Sequence, residues 1–496
     1  MRLEGCVSGE RRKGKRFFFV LLLLSLLLTF LEACSYTEEK VRKEEAVIRP
    51  EEEVPTLIWW MAGEKPVDYE AGIENINAYL EEKLQIRLEL RFEGWGGFLD
   101  KTQDIIYDQE YFDIMFVDTN NFGLFASMGA LQDITDLIHA YAPKLWEIMP
   151  ELIWSGARQD GRIYAVPTYK DSALTQYWIF EKRYLEKYNI DIDSLQSWSD
   201  LDAYFRMLKR GEGETFYPVL SSREDSLNIF NEYDSFTTGL PIIGVKPDDA
   251  ERRVVCLLEE ENILEKLEYL RQWYLDGLIN PNAMQIETLS EPRPFFCGIG
   301  WPGAEHVWQQ DEGSGELVAK QIYGPIYSKD SIQGAMNAVY ANSRYKKEAL
   351  ELLELVNTDQ KLRDMLAYGV EGRNFEYNQD GTVHYLNRDW NTSTYTQGNF
   401  LIMSPVEGGS WEGMEWNNKN AEKSVLLEFE MDLQELEMEL SACKEIWNEY
   451  ALGFAVGAFD LEKAIPECMQ RLRKNGLDTI ISEAQKQIDA QYGKDK

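Results

Sequence analysis

The chain has 496 residues and a formal net charge of -35, from 51 Lys plus Arg against 86 Asp plus Glu. That length is too great for one ordinary core and implies two or more lobes, and 44% hydrophobic residues exclude wholesale disorder. The charge repels phosphate backbones and so excludes a nucleic-acid partner, whereas 14 Trp, 26 Tyr and 22 Phe suit a chain that stacks its ligand.

Basic residues Arg11, Arg12, Lys13, Lys15 and Arg16 precede an uncharged stretch, Phe17 to Leu31. Fifteen residues are short for a bilayer span and fit the apolar region of an export signal. Leu31-Glu32-Ala33-Cys34 resembles the lipobox of bacterial lipoproteins, in which the Cys is lipidated and becomes the new N-terminus; Glu32 departs from that pattern. An uncleaved anchor or ordinary secretion is the alternative. Residues 1–34 are therefore read as a lipoprotein signal peptide and 35–55, charged and poor in aromatics, as a flexible tether. No later apolar stretch is long enough to cross a bilayer. Cys256, Cys297, Cys443 and Cys468 form no CxxC pair and no zinc spacing; they are buried thiols or, in an oxidising compartment, disulfides in one of three pairings.

Along the body, Thr56–Met61 reads as a short apolar strand, and Ile73, Ile76, Ala78, Leu80 and Leu84 mark a helical face. Ile86–Phe92 alternates strictly and is the cleanest strand. Gly94-Trp95-Gly96-Gly97 breaks it, an amphipathic stretch runs from Phe98 to Tyr107, and Phe112–Val117 is a third, buried strand ending at Asp118. Such an order predicts a mainly parallel sheet covered by helices, with ligands beyond the carboxyl ends of its strands. Trp59, Trp60, Trp95, Asp118 and Asn120 are placed at those ends. Further on, Gly161–Pro167 reads as a turn and strand and Phe180–Tyr188 as a helix. Ser199–Lys209 reads as a helix capped by Ser199, and Leu258–Trp273 as another. Phe295–Trp301 reads as a buried strand, Gly334–Ala341 as an apolar segment and Lys346–Val356 as a helix. The tail from Lys423 is mostly helical, interrupted at Pro466 and punctuated at Gly476.

The lipobox-like leader, TLIWWM, Gly129–Ile134 (GALQDI) and Gly161–Pro167 (GRIYAVP) together resemble the extracellular solute-binding proteins, family 1. These are receptor lipoproteins of ABC importers, commonly of the carbohydrate-uptake type. Tyr368–Phe375, the Gly-Asn-Phe around Asn399 and the closing helices resemble a subgroup with an enlarged C-terminal part. The resemblance implies an α/β, two-lobed periplasmic-binding-protein-like fold (type II), with a ligand cleft between lobes joined by hinge strands. Lobe one would be 56–165 with a return segment 332–375; lobe two would be 166–331 with the C-terminal helical part 376–496. It also implies an extracytoplasmic monomer, lipid-anchored at Cys34, whose partners are a small-molecule solute, ABC permease subunits and their ATPase. No cofactor and no metal are expected.

A sugar offers an apolar ring face and an equator of hydroxyls, which want flat aromatics and planar polar side chains. On that chemistry Trp60, Trp95, Trp301 and Trp411 are assigned to stacking, with Tyr169 at the crossing between lobes. Asp118, Asn120, Lys170, Asp171, Glu371 and Arg373 are assigned to hydroxyls. Trp59 and Trp60 face opposite sides of one strand, so one of them is core. Trp301 has a rival role in hinge packing, Asp118 in capping a helix, and Lys170 with Asp171 in pairing with each other.

There is no GxxxxGK[ST], HExxH or GxSxG, and His139, His306 and His384 are scattered. Asn378-Gln379-Asp380-Gly381 lacks EF-hand spacing and reads as a hairpin turn. The alternatives are a binding lipoprotein for peptides or another non-sugar solute, and an exported glycoside hydrolase, for which no eight-fold barrel pattern is present. A surface adhesion or scaffold protein is the blandest of them.

Overall fold

The computed structural model describes residues 54–227 and 229–493; the signal peptide, Cys34 and nearly all of the tether lie outside the described residues. Five strands make the first sheet, in the order Arg87–Glu93, Thr56–Ala62, Ile114–Val117, Met336–Val339, Ala165–Pro167. The first three are parallel, and Met336–Val339 runs antiparallel to both its neighbours. Ile114–Val117 is buried throughout, as a central strand covered on both faces must be.

Arg87–Glu93 is the edge strand, which explains its clean alternation: Leu88 and Leu90 turn inward while Arg87, Glu89 and Arg91 stay half-exposed. Its free backbone groups are not left bare. The helix Tyr69–Leu84 docks Ile73, Ile76 and Leu80 on the core, and two of its polar side chains clasp the strand. Asn77 Nδ2 donates to Leu88 O at 3.2 Å and Asn77 Oδ1 accepts from Leu88 N at 2.6 Å. The Tyr69 hydroxyl does the same at Leu90, at 3.0 and 3.1 Å. A buried edge is thus satisfied by side chains rather than by another strand.

The second sheet runs Phe295–Ile299, Leu174–Glu181, Leu317–Tyr327, Glu422–Lys423. Its central strand corrects the sequence reading, which made Phe180 the start of a helix. Leu174–Glu181 is buried on both faces, so it carries no two-residue period, and the helix Lys182–Tyr188 follows without a loop. The next helix, Trp198–Glu212, is capped by Ser197 rather than Ser199. Ser197 Oγ accepts from Asp200 N at 3.2 Å, and Asp200 accepts in return from Ser197 N at 2.9 Å. The helix Glu261–Leu275 starts later than Leu258, which lies in a preceding 3-10 turn. Pro466 does not interrupt the tail: the helix Leu461–Lys474 runs through it. Pro466 lies on the solvent face, where water can reach the carbonyl of the exposed Glu462 that loses its partner. Phe375–Tyr377 and Val383–Tyr385 form the hairpin expected at Asn378–Gly381.

Two large hydrophobic cores follow the two sheets. One gathers Leu57, Trp59, Ile76, Trp154, Leu353 and Trp390; the other gathers Phe180, Phe205, Trp273, Trp447 and Cys468, and takes in the three C-terminal helices. The chain passes between the sheets through 168–173 and again through the short helix Lys329–Gln333. The first crossing is pinned where Tyr169 O accepts from Phe400 N at 2.9 Å, and where Asn418 Nδ2 donates to Lys170 O at 2.6 Å. Cys256, Cys297, Cys443 and Cys468 are free thiols. Among the described residues no helix is long and apolar enough to cross a membrane.

Two features yield direct tests. Replacing Ser197 by Ala removes the reciprocal cap and should cost about 1 kcal/mol, read as a lower urea midpoint with unchanged slope; an unchanged midpoint would show the cap to be dispensable. Asp68 starts the helix Tyr69–Leu84 and accepts from Arg373 Nε at 2.7 Å and Asn374 Nδ2 at 2.9 Å. The Arg373 and then the Asn374 hydrogen bond hold its carboxyl down at about 2, against an ordinary 3.8. A depressed folded value adds stability that is present above pH 3.8 and lost as pH falls through about 2. Acid-unfolding curves of wild type and Arg373→Met should therefore differ above pH 4 and converge near pH 2. Coincident curves throughout would contradict this role.

Candidate functional site

The carboxyl ends of the parallel strands carry the exposed chemistry of the first lobe. Trp95 opens the helix Trp95–Tyr107 just after the edge strand, and 46% of it is exposed. Its ring stacks on Tyr395 at 5.6 Å between centroids and 9° between planes, and rests edge-on against Phe116 at 5.8 Å. Trp95 Nε1 donates to Ser393 Oγ at 3.3 Å. Tyr395, itself 42% exposed, arrives from a distant loop and went unnoticed in the sequence because nothing local marks it. The two rings form an aromatic platform.

Asp118 follows the last parallel strand and borders the same platform. Its carboxylate accepts from Asn120 N at 2.8 Å and Asn120 Nδ2 at 3.3 Å, which fixes a tight turn and presents Asn120 to solvent. Burial pushes the Asp118 carboxyl up, and the hydrogen bonds from Asn120 oppose that only in part. Burial, with the Asp118 charge behind it, likewise pushes the Tyr395 hydroxyl up to about 12. At neutral pH Tyr395 is therefore a hydroxyl donor.

Thr119 and Asn120 of this turn line a cavity of about 750 Å³ whose other walls belong to the second lobe. That volume lies within the range of small-molecule sites. The facing wall includes Phe230, Asn231, Tyr233, Asp234, Tyr323 and Asp330. Phe230 packs edge-on against Trp447 at 5.6 Å, and Tyr233 OH donates to Asn262 Oδ1 at 2.9 Å. Asn231 Nδ2 is buried and makes no hydrogen bond among the described residues. The register of Leu317–Tyr327 slips on both sides of Tyr323, an irregularity that re-aims its side chain. The sequence signal for this wall is the long, aperiodic, aromatic and polar stretch 221–247.

The cavity reaches one of the crossings. Asp330 is in the first turn of the helix Lys329–Gln333 and accepts from Ser235 Oγ at 2.7 Å and Thr237 N at 3.2 Å. The other end of that helix faces the first lobe, where Gln333 Nε2 donates to Gly156 O at 2.8 Å. A five-residue helix is thus tied to both lobes and also borders the cavity.

The remaining candidates fall elsewhere. Trp60 is not at a strand end: the strand continues to Ala62, and Trp60 is buried beneath the helix Trp95–Tyr107 with Ile105 and Ile106. Trp59 is core, and its Nε1 donates to Asn337 Oδ1 at 3.0 Å. Both faces of the sheet are covered, so neither indole reaches solvent. Trp301 and Trp411 pack on each other at 5.9 Å inside a small cluster with Phe400, Met403 and Met414, and Trp411 Nε1 donates to Met403 O at 2.7 Å. Lys170 and Asp171 pair with each other at 2.9 Å in the first crossing, next to the half-buried Tyr169. Arg373 is taken by Asp68, and Glu371 is exposed in the neighbouring turn. Of the sequence-assigned residues, Trp95, Asp118 and Asn120 come together; Tyr169, Lys170, Asp171, Trp301 and Trp411 belong to crossings and packing. Among the described residues no group of three His, Cys, Asp or Glu is placed to hold a metal ion.

Comparison with known proteins places this architecture. The family described as bacterial extracellular solute-binding protein matches residues 64–361, and a domain family of unknown function, DUF3502, matches residues 425–492. A carbohydrate ABC transporter substrate-binding protein of Streptococcus pneumoniae serotype 4 is 26% identical over 461 residues, covering 88% of this chain and 90% of that protein. The crystal structure of the N-glycan transport solute binding protein NgtS from Streptococcus pneumoniae superposes with a TM-score of 0.79 at 25% identity. It covers 88% of this chain and 98% of that one. The same protein in complex with Man5GlcNAc gives a TM-score of 0.76 at 25% identity, over 89% and 99% of the two chains. A solute-binding protein of Bifidobacterium longum infantis shares the fold alone, at 13% identity and a TM-score of 0.58 over 88% and 99%. With two sheets, two cores and a cavity between them, this chain belongs to the bacterial extracellular solute-binding proteins.

Proposed function

We propose that the chain is the extracytoplasmic binding component of an ABC importer for an oligosaccharide, anchored by lipid at Cys34 and held off the membrane by residues 35–55. The observation that carries this reading is a cavity of about 750 Å³ lined by the second lobe and by Thr119 and Asn120 of the first, in the turn that Asp118 fixes beside the Trp95–Tyr395 platform. A pyranose ring lies on the platform through its apolar face. Its hydroxyls meet Asn120 and Asp118 on one side and Asn231 and Tyr323 on the other. The relatives that transport or bind N-glycans support an oligosaccharide, and mannose with N-acetylglucosamine is the first composition to try.

Capture follows from the two-lobed construction. Each lobe keeps its own core, so the lobes can move as bodies about 168–173 and Lys329–Gln333. Ligand contacts made to both walls exist only when the lobes are close, so binding shifts the population toward the closed form. That closed form, together with its intact ligand, is what a permease pair and its ATPase receive. The monomer suffices for this, and the ligand leaves unaltered.

Two measurements test the reading. A thermal-shift screen of residues 35–496 should respond to Man5GlcNAc and not to peptides. At about 100 times the dissociation constant the ligand adds roughly 2.7 kcal/mol of stability. A response to peptides alone, or hydrolysis of the glycan by the purified chain, would sink the proposal. Trp95→Ala should weaken glycan binding about tenfold or more, as removal of an aromatic anchor does. Trp95 is nearly half exposed, so the variant should still fold, and a cooperative ligand-free melting transition checks that; an unchanged affinity would remove Trp95 from the site.

A further inference from the structure

The cavity wall has a charge imbalance that the aromatic platform does not account for. Asp234, Asp330 and Glu224 line the cavity against a single cation, Arg223. Arg223 is itself paired with Glu287 at 3.4 Å, with both side chains more than half exposed. Asp234 is 2% exposed and accepts from Phe236 N at 2.9 Å and from the Ser424 hydroxyl. Asp330 accepts from Ser235 and Thr237, as described above. Every one of these donors is neutral.

Lys329, whose charge acts on both carboxyls, is committed elsewhere. Lys329 Nζ donates to Phe429 O at 3.1 Å and pairs with Glu430 at 3.3 Å, with Asp160 also near. The other titratable groups facing Asp234 are the hydroxyls of Tyr323 and Tyr492; Glu232 and Asp248 stand near Tyr323, and Arg252 lies over the Tyr492 ring with Glu428 also near. Burial, followed by repulsion from Asp330, pushes the Asp234 carboxyl up to about 7, and burial raises Asp330 as well.

We propose that Asp234 and Asp330 act as a charge filter that admits uncharged saccharides to the cavity and turns away glycans bearing a carboxylate. This rests on the oligosaccharide reading and narrows it. An anionic ligand entering here meets two buried carboxyls whose hydrogen bonds come from neutral donors, and like charges forced together weaken binding steeply. A neutral sugar has no such difficulty. A protonated carboxyl offers an O–H donor and a carboxylate an acceptor, and a sugar hydroxyl satisfies either.

Titration calorimetry of the purified chain tests this with two probes: Man5GlcNAc, and the same glycan with one terminal hydroxymethyl oxidised to a carboxylate. At pH 8 the acid form should bind about tenfold or more weakly than the neutral form. In wild type that gap should narrow as pH falls from 8 to 5, because the pair takes up protons while the glycan carboxylate, with an ordinary value below about 4, stays charged. Asp234→Asn and Asp330→Asn should each narrow it at pH 8. Equal affinity for both probes at pH 8 would overturn the filter and leave the oligosaccharide reading standing. A gap indifferent both to pH and to the two Asn variants would overturn it too. If neither probe binds, the oligosaccharide reading fails and the filter fails with it.

Discussion

The first sheet of this protein buries both of its faces, and that constraint organises everything else. A sheet covered on both sides has only its strand ends left to present chemistry. In the first lobe those ends carry Trp95, Asp118 and Asn120, joined by Tyr395 from a remote loop. In the second lobe the facing surface is built from the stretch 221–247, a register slip at Tyr323 and the first turn of the helix Lys329–Gln333. Of the first surface, Thr119 and Asn120 reach the cavity.

The links between the lobes are as informative as the lobes themselves. One is a loop held by Phe400 and Asn418; another is a helix bound to the second lobe through Asp330 and to the first through Gln333; the third lies between Val339 and Glu422. The expected hinge strands are thus a loop and a helix over the first two of these crossings. Asp330 therefore has two duties, fixing the crossing helix and bordering the cavity, and any change in its surroundings is felt by both. The Trp301–Trp411 pair stabilises the neighbourhood of the crossings through packing, which accounts for two aromatics that composition alone would have offered to a ligand.

What the sequence disclosed depended on exposure. The alternation of Ile86–Phe92 was legible because that strand is an edge, with one charged and one buried side. Leu174–Glu181 was illegible because both its sides are buried, and a uniformly apolar run resembles a helix as easily as a strand. The place of Asp118 and Asn120 just past a strand end was legible because the buried run Ile114–Val117 stops at the first polar residue. Trp60 was misjudged by two residues: the strand runs on to Ala62, and the indole turns into packing. Asp330 and Tyr323 gave no local sign at all, since they are brought to the wall of Asp234 only by strand pairing and by a crossing that sequence spacing does not encode.

The most direct test is a crystal structure of the chain with Man5GlcNAc. Density for an intact glycan is expected between the 118–120 turn and the wall of Asn231, Asp234 and Tyr323, with one ring lying flat on Trp95. Glycan found on an outer surface, or with its bonds cleaved, would contradict the idea of a two-walled clamp.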